Sequence, residues 1–397
     1  MPPRLHRNIW VLSITSFLTD VSSEMLFNLL PLFLVNVLGV RTAVVGLIEG
    51  IAETTASLTK VSSGMISDRL GERKRLTILG YGLSALVKPL LFFANSWGWV
   101  LLVRFSDRVG KGIRSAPRDA LLAGSASPSQ RGLAFGLHRA ADTAGAFTGL
   151  AIAAWILWAS QSGGARLTRP AFQGVVLASI VPAFLAVVLL ALGAKEIAAK
   201  GRTADGVDPQ PEKLDRRFLV FLAIVVIFTL GNSSDAFIIL RGQERGLSVL
   251  QVMGMLLTFT AVYSVLSGPF GSLSDRLGRK VILIGGWLSY AAIYLGLAAA
   301  RTGAQTWALF GLYGVYYALA EGTARAYVAD LVPEGRRGAA FGMYHAGVGL
   351  AALPASLLAG ILWQGIGAWG GFGPSAPFYF GAGMALLATS LLVLWVR

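Results

Sequence analysis

Acidic side chains recur at helical spacing inside a stretch of sequence that is otherwise apolar. Asp20, Glu24 and Asn28 follow one another at intervals of four, and no basic residue lies beside the two acids on their own helix. A carboxyl group in a low-dielectric surrounding loses the hydration that favours its charged form, so it can exchange protons near neutral pH. Asp142, in a later apolar stretch, is a third candidate. The pattern predicts proton coupling at Asp20, Glu24 or Asp142.

A basic helical face is the second group of residues that could bind a ligand or do chemistry. Six charged residues between 104 and 118 step by three or four, so they share one side of a helix. A charge near a bilayer centre costs at least about 2.5 kcal/mol, so this face must meet water or partners. We interpret it as a site for a negatively charged substrate group, formed by Arg104, Arg108, Lys111 and Arg114. The alternative is an internal network in which Asp107 pairs with Arg104 or Lys111, and acids of other helices neutralise the rest.

Other polar residues in apolar stretches complete the predicted substrate site. They are Asn28, Asp235, Tyr317 and Glu321. Ionisable groups within a membrane are expensive, so they favour a functional interpretation. The competing interpretation is structural pairing of Glu321 with Arg325, or of Asp142 with Arg139.

The composition identifies the elements that position these residues as membrane spans. Of the 397 residues, 55% are hydrophobic and 14% are charged, whereas a soluble domain has about 25% charged residues. Mean hydropathy is +0.65, and cysteine is absent, which excludes thiolate chemistry. Twelve segments are long enough to cross a bilayer. We predict them at 9–31, 42–66, 75–95, 98–118, 132–159, 172–194, 218–240, 248–272, 280–300, 304–330, 338–363 and 376–396.

The distribution of basic residues predicts the orientation of these spans. With the N-terminus inside, Lys and Arg are concentrated in the loops on the inner side, as in cytoplasmic loops of membrane proteins. We therefore expect a multi-pass protein of the inner membrane with both termini cytoplasmic. The same asymmetry accounts for the net charge of +14 without a nucleic-acid partner.

The sequence repeats on either side of a polar linker at 195–217. The octapeptide that starts at Gly64 recurs from Gly271, and the Arg-Gly-x-Ala-Phe-Gly motif at 131–136 recurs at 337–342. Both copies appear in the same order at nearly constant spacing. We expect an all-α protein of two pseudo-symmetric six-helix bundles, residues 1–194 and 218–397.

The repeated octapeptide carries a resemblance to a known family. Its Gly-x-x-x-Asp-Arg-x-Gly pattern resembles the signature loop between spans two and three of the major facilitator superfamily. The resemblance implies a conformational latch that closes and opens the transport pathway. Its residues here are Gly64, Asp68, Arg69, Gly71, Arg73 and, in the second copy, Gly271, Asp275, Arg276 and Gly278.

Two further motifs match the family only in part. Arg104 takes the position of the family's buried arginine in the fourth span, but Arg108 stands where glycine is usual. Gly145 and Gly149 resemble part of the glycine and proline motif of the family's exporters, whose proline is replaced by Leu150. We interpret the two glycines as a helix-packing pair.

These observations predict a monomeric secondary transporter, proton-coupled, that moves a small solute by alternating access. Uptake of an anionic metabolite and export of an organic compound both remain open, and the alternatives are a membrane sensor or a metal-ion exporter. No nucleophile–base pair or nucleotide loop is present in the sequence, so we expect no enzymatic activity, no cofactor and no resident metal.

Overall fold

A computed structural model describes residues 5–70, 72–127, 130–160, 164–197, 215–333 and 337–395, without the side chains of 68–70, 131 and 337–339. Within these ranges the regular structure is helical. Most of the predicted linker at 195–217 and the motif residue Gly71 lie outside the described residues. The limits of the two predicted bundles therefore stay a prediction.

Six spans precede residue 197 and six follow residue 215, as predicted. The first six are α1 (Arg7–Phe27) with α2 (Leu30–Leu32) and a π-helical turn (Phe33–Val37), α3 (Thr42–Leu70), α4 (Arg73–Val87) with a 3₁₀ segment (Lys88–Phe93), α5 (Trp97–Gly124), α6 (Arg131–Ser160) and α7 (Arg169–Gly193). The second six are α8 (Arg216–Gly231) with α9 (Ala236–Glu244), α10 (Val249–Leu277), α11 (Arg279–Ala299), α12 (Gly303–Asp330), α13 (Arg337–Gln364) and α14 (Ala376–Trp395).

The spans differ in their hydropathy. Among the described residues, nine helical segments are long and apolar enough to cross a bilayer. The spans outside this group are α3, α5 and α12. The twelve-helix, all-α prediction is confirmed. The predicted basic face lies in α5, one of the less apolar spans, whereas Asp20, Glu24 and Asp142 lie in spans of the apolar group.

Three spans are interrupted, where the sequence predicted continuous helices at 9–31, 75–95 and 218–240. The first stops at Asn28, the third tightens into the 3₁₀ segment at Lys88, and the seventh stops at Asn232. Pro89 explains the second change, because it has no backbone N–H to donate within a regular α-helix. Irregular backbone at membrane depth is tolerated where protein or water satisfies its polar groups. Each interruption therefore lies at a polar residue, Asn28, Lys88 or Asn232.

Side-chain caps fix the starts of two helices in the second half of the chain. Ser248 and Gln251 form a capping box at α10, and Thr302 and Gln305 form another at α12. In each box, the hydroxyl of the first residue accepts a hydrogen bond from the backbone N–H of the glutamine. The glutamine side chain in turn accepts one from the backbone N–H of the first residue. These caps explain why α12 begins at Gly303, one residue from the predicted start.

The chain forms two compact units. The first comprises residues 1–29, 55–156 and 169–212, and the second comprises 30–54, 157–168 and 213–397. A buried apolar cluster of the first unit joins five of its helices, α1, α4, α5, α6 and α7, through residues that include Ile9, Tyr81, Leu121, Ala134 and Leu190. It holds together the helices that carry the charged side chains of this unit.

Glycines set the closest helix contacts of the first unit. A Cβ atom at Gly145 or Gly149 would lie 2.5 or 2.4 Å from a backbone oxygen of α1, so these two glycines pack helices closely. Gly80 of α4 faces Gly110 of α5 in the same way. Gly112 of α5 abuts Thr59 of α3. Because glycine has no side chain, α5 packs closely against α4 and α3 at these points.

We expect Gly80→Ala to destabilise the protein. Its Cβ would lie 2.5 Å from the carbonyl oxygen of Gly110 and 2.7 Å from the backbone nitrogen of Arg114. Overpacking of this kind costs about 1–3 kcal/mol. Gly82→Ala is the matched control. Gly82 lies on the same helix, and a Cβ at this position would have nothing within 4 Å. Thermal unfolding of the detergent-purified variants measures the difference. Equal melting temperatures for the two would contradict this account of the contact.

Candidate functional site

Lys88 is the most deeply buried cation of the first unit, with 1% of its surface exposed. Its ammonium donates to the hydroxyls of Ser22 at 2.9 Å and Ser23 at 3.0 Å, and lies 5.7 Å from the ring centroid of Phe27. Within the described ranges, no carboxylate lies within the 4 Å of an ion pair. The ammonium is thus held by two hydroxyls of α1 and an aromatic face.

Lys88 was not among the predicted site residues. A signal for it exists, because Lys88 is the one charged residue in the predicted span 75–95 after its basic start, and Pro89 follows it. A lone lysine beside a helix-breaking proline inside a span is costly and indicates function. Its contact with Ser22 and Ser23, by contrast, depends on how α1 packs, which no sequence spacing specifies.

Arg114 is a second buried cation of the same unit whose partners are also uncharged. It is 6% exposed, donates to the Ser84 hydroxyl at 2.8 Å and stacks over the ring of Tyr81 at 4.5 Å. No ion pair of Arg114 occurs among the described residues. Cation–π contacts and hydroxyl hydrogen bonds compensate part of the lost hydration of a guanidinium.

The predicted basic face of α5 is formed, and most of it is buried. Arg104 lies over Phe27 at 4.2 Å, so Phe27 is shared by two cations. Arg108 is also buried, whereas Lys111 is exposed on the same face. The structure therefore brings Arg104, Arg108 and Arg114 into the interior and leaves Lys111 accessible.

The acids of α1 lie within electrostatic range of this face. Asp20 interacts with Asp142, Glu24, Lys111 and Arg114. Glu24 accepts a hydrogen bond of 2.7 Å from the amide of Asn28, the residue at which α1 ends. The first unit thus combines the predicted proton-coupling acids with the predicted anion-binding cations.

Two pairings proposed from the sequence do not form in the described structure. Asp107 is buried, but no ion pair of 4 Å or less joins it to Arg104 or Lys111. Asp142 does not pair with Arg139; its Oδ1 instead lies 3.8 Å from Nε2 of His138. That separation is too long for a hydrogen bond. The internal-network alternative, in which acids of other helices neutralise the cations, stays a prediction.

The predicted site residues of the second unit lie in an aromatic cluster. The hydroxyl of Tyr317 donates to Asp235 at 3.3 Å. Glu321 pairs with Arg325 at 2.5 Å, as the structural alternative predicted, and also accepts from Tyr263 at 2.6 Å. Glu321 is therefore already compensated.

Part of the predicted latch lies in the described residues. The side chains of Asp68 and Arg69, like Gly71, are outside them. A Cβ atom at Gly64 would lie 3.5 Å from the Cβ of Ala116, which is ordinary van der Waals distance. Arg73 donates to the carbonyl of Ala120 at 3.5 Å.

The second copy of the motif contains an ion pair. Asp275 pairs with Arg279 at 3.5 Å, and Arg279 also contacts Asp330 at 3.0 Å. Gly278 has a φ of +91°, which favours glycine at the turn between α10 and α11. A Cβ at Gly271 would meet nothing within 4 Å. Gly278 is thus needed for its backbone conformation, whereas Gly271 makes no close helix contact in this structure.

In the described parts of the chain, no group of three or more His, Asp or Glu residues could hold a metal ion.

Comparison with known proteins agrees with this architecture. The sequence model of the Major Facilitator Superfamily matches residues 12–256 and 218–397. The MFS-type transporter MJ1317 of Methanocaldococcus jannaschii is 35% identical over 396 residues, covering 98% of this chain and 95% of that one. The fosmidomycin resistance protein of Escherichia coli is 26% identical over 346 residues, covering 84% and 80%.

Solved structures share the fold at low sequence identity. The nucleoside transporter NupG superposes with a TM-score of 0.80 at 12% identity, covering 98% of this chain and 100% of that one. A D-xylose–proton symporter gives 0.78 at 16% identity, covering 98% of both. The fold and the charged spans define a multi-pass membrane transporter. The chain belongs to the major facilitator superfamily.

Proposed function

We propose that this protein is a proton-coupled secondary transporter of a small organic anion. The observation that carries the proposal is the pair of buried cations, Lys88 and Arg114, whose direct partners are hydroxyls and aromatic rings. A substrate carboxylate or phosphate would supply the negative charge that these partners lack. Arg114 suits such groups because a guanidinium can donate two parallel hydrogen bonds to them.

The cost of burying these cations supports an anionic ligand. Desolvating one ammonium or guanidinium costs several kcal/mol even after the protein relaxes. Neutral hydrogen bonds each contribute about 0.5–1.5 kcal/mol, so two hydroxyls recover only part of that cost for Lys88. At Lys88 and Arg114 the free protein thus retains positive charge that an anion can stabilise.

The neighbouring acids provide a route to proton coupling. Asp20 is within electrostatic range of the cations Arg114 and Lys111. An anion bound to those cations cancels part of their positive potential, so anion binding favours a protonated acid. By thermodynamic linkage, a bound proton favours the anion equally. We infer that proton and anion bind together.

The remaining aspects of the proposal follow from the sequence. The concentration of Lys and Arg in alternate loops supports an inner-membrane protein with both termini cytoplasmic. We propose a monomer that binds no nucleic acid, since the loop charges have a topological role. The Asp68–Arg69 motif and its second copy at Asp275–Arg276 are proposed as the latches that form and break during the transport cycle.

The first test of this proposal is ligand binding. A panel of succinate, benzoate, glycerol 3-phosphate, xylose and tetraethylammonium is screened by thermal shift on the purified protein. We expect anions to stabilise it. Lys88→Met and Arg114→Gln should each weaken anion binding about tenfold, the effect of removing a hydrogen bond to a charged group. Arg301→Gln, which removes an exposed cation of the second unit, is the matched control.

Two outcomes would contradict the anion proposal. The first is stabilisation by xylose or tetraethylammonium and by none of the anions. The second is unchanged anion affinity in both Lys88→Met and Arg114→Gln. Uptake of the stabilising anion into proteoliposomes then separates the transporter from the sensor alternative, because a sensor would bind the anion without saturable flux.

The second test concerns the proton site. Glu24→Gln should abolish transport driven by a pH gradient but preserve substrate counterflow, because the amide resembles a protonated carboxyl that cannot release its proton. Its oxygen can still accept from Asn28, as Glu24 does at 2.7 Å. Glu72→Gln removes a half-exposed carboxylate elsewhere in the first unit and is the control. If Glu24→Gln retains the full response to the pH gradient, the coupling residue is Asp20 or Asp142 instead.

A further inference from the structure

A cavity of about 220 Å³ lies within the second unit. Six ring-bearing side chains line it: Phe228, Trp287, Tyr316, Tyr317, Tyr344 and His345. For comparison, a cavity of about 150 Å³ in another protein holds benzene. The space is thus large enough for a flat ring system somewhat larger than benzene.

Several rings of this cavity pack against one another or against neighbouring aromatic residues. Phe228 and Trp287 stack at 4.6 Å with an interplanar angle of 10°. Tyr317 packs edge-on against Tyr313 at 5.1 Å and against Tyr316 at 5.3 Å. Because the walls are flat and already ordered, a planar ligand loses little binding energy to rearrangement of the protein.

The charges of the cavity are balanced internally. Its one lining acid, among the described residues, is Glu321, which pairs with Arg325 at 2.5 Å and accepts from Tyr263 at 2.6 Å. An ammonium ligand would therefore compete with a formed ion pair, and an anionic ligand would compete for Arg325. The occupant that fits this balance is uncharged.

Asn232 supplies a polar edge to this aromatic space. It ends α8, where the seventh span is interrupted, and it lines the cavity. Its amide is 3.5 Å from the Tyr316 hydroxyl and 3.4 Å from that of Tyr313, both at the outer limit of a hydrogen bond. A side-chain amide offers a donor and an acceptor side by side, which matches the edge of a nitrogen heterocycle.

We propose that this cavity is a binding site for an uncharged, planar nitrogen heterocycle, stacked among Phe228, Trp287 and Tyr344 with its edge on the Asn232 amide. This site goes beyond the proposed transport of an anion, since it requires neither Lys88 nor a titrating acid. The ring can be a separate ligand or a part of a larger one; the chemistry recognised is the same.

The proposal is tested with the full-length protein in nanodiscs, using adenine and uracil as probes and saturated ε-caprolactam as the non-aromatic control. Saturation-transfer NMR and calorimetry measure binding. We expect saturable binding of adenine or uracil and none of ε-caprolactam. Tyr344→Leu should weaken it about three- to tenfold, while Tyr344→Phe, which keeps the ring, should not. Asn232→Ala should also weaken it, and Tyr379→Leu, at an exposed ring outside the cavity, should have no effect.

Several results would overturn this site. They are absence of saturable binding for both adenine and uracil, equal binding of ε-caprolactam, or unchanged affinity in both Tyr344→Leu and Asn232→Ala. Lys88→Met separates this proposal from the anion proposal, because it should leave heterocycle binding intact. Loss of heterocycle binding in Lys88→Met would place the site elsewhere and contradict the inference.

Discussion

The constraint on which the first unit depends is the burial of Lys88 inside a membrane-spanning bundle. Its ammonium cannot remain charged in an apolar interior without hydrogen-bond acceptors, and Ser22 and Ser23 of α1 provide them at 2.9 and 3.0 Å. The contact fixes α1 against the third span at the point where that span becomes a 3₁₀ helix. Phe27, one turn further on α1, then lies against both Lys88 and Arg104.

Close glycine contacts make this arrangement sterically feasible. Gly80 and Gly110 allow α4 and α5 to approach, while Gly145 and Gly149 allow α6 to approach α1. Arg114 is thereby placed over Tyr81 of α4, and Asp142 of α6 comes within electrostatic range of Asp20. The second unit differs: its buried cation Arg241 pairs with Glu244, its acid Glu321 pairs with Arg325, and tyrosines line its cavity. One unit therefore retains charge for a ligand, and the other offers neutral aromatic surface.

The fold could be predicted because it depends on properties averaged over long segments. Hydropathy identified twelve spans, and the copy of the Gly64 octapeptide at Gly271 identified the repeat and the family. Periodicity also placed Arg104, Arg108 and Arg114 on one buried face. The interruptions at Asn28 and Asn232, the role of Lys88 and the cavity beside Trp287 were not predicted. They depend on which helix faces meet, and that is determined by packing between distant residues rather than by local pattern.

The central claim is that a positive charge at position 88 binds the anion, and the absence of cysteine from the chain allows a direct measurement. Lys88→Cys is alkylated with 2-bromoethylamine, which restores a lysine-like ammonium, or with 2-iodoethanol, which adds a neutral group of similar size. Mass spectrometry verifies the modification, and calorimetry measures affinity for the stabilising anion. We predict that the thiol reacts and that only the aminoethyl product recovers affinity. An unreactive thiol, or equal affinity of the two products, would contradict the account.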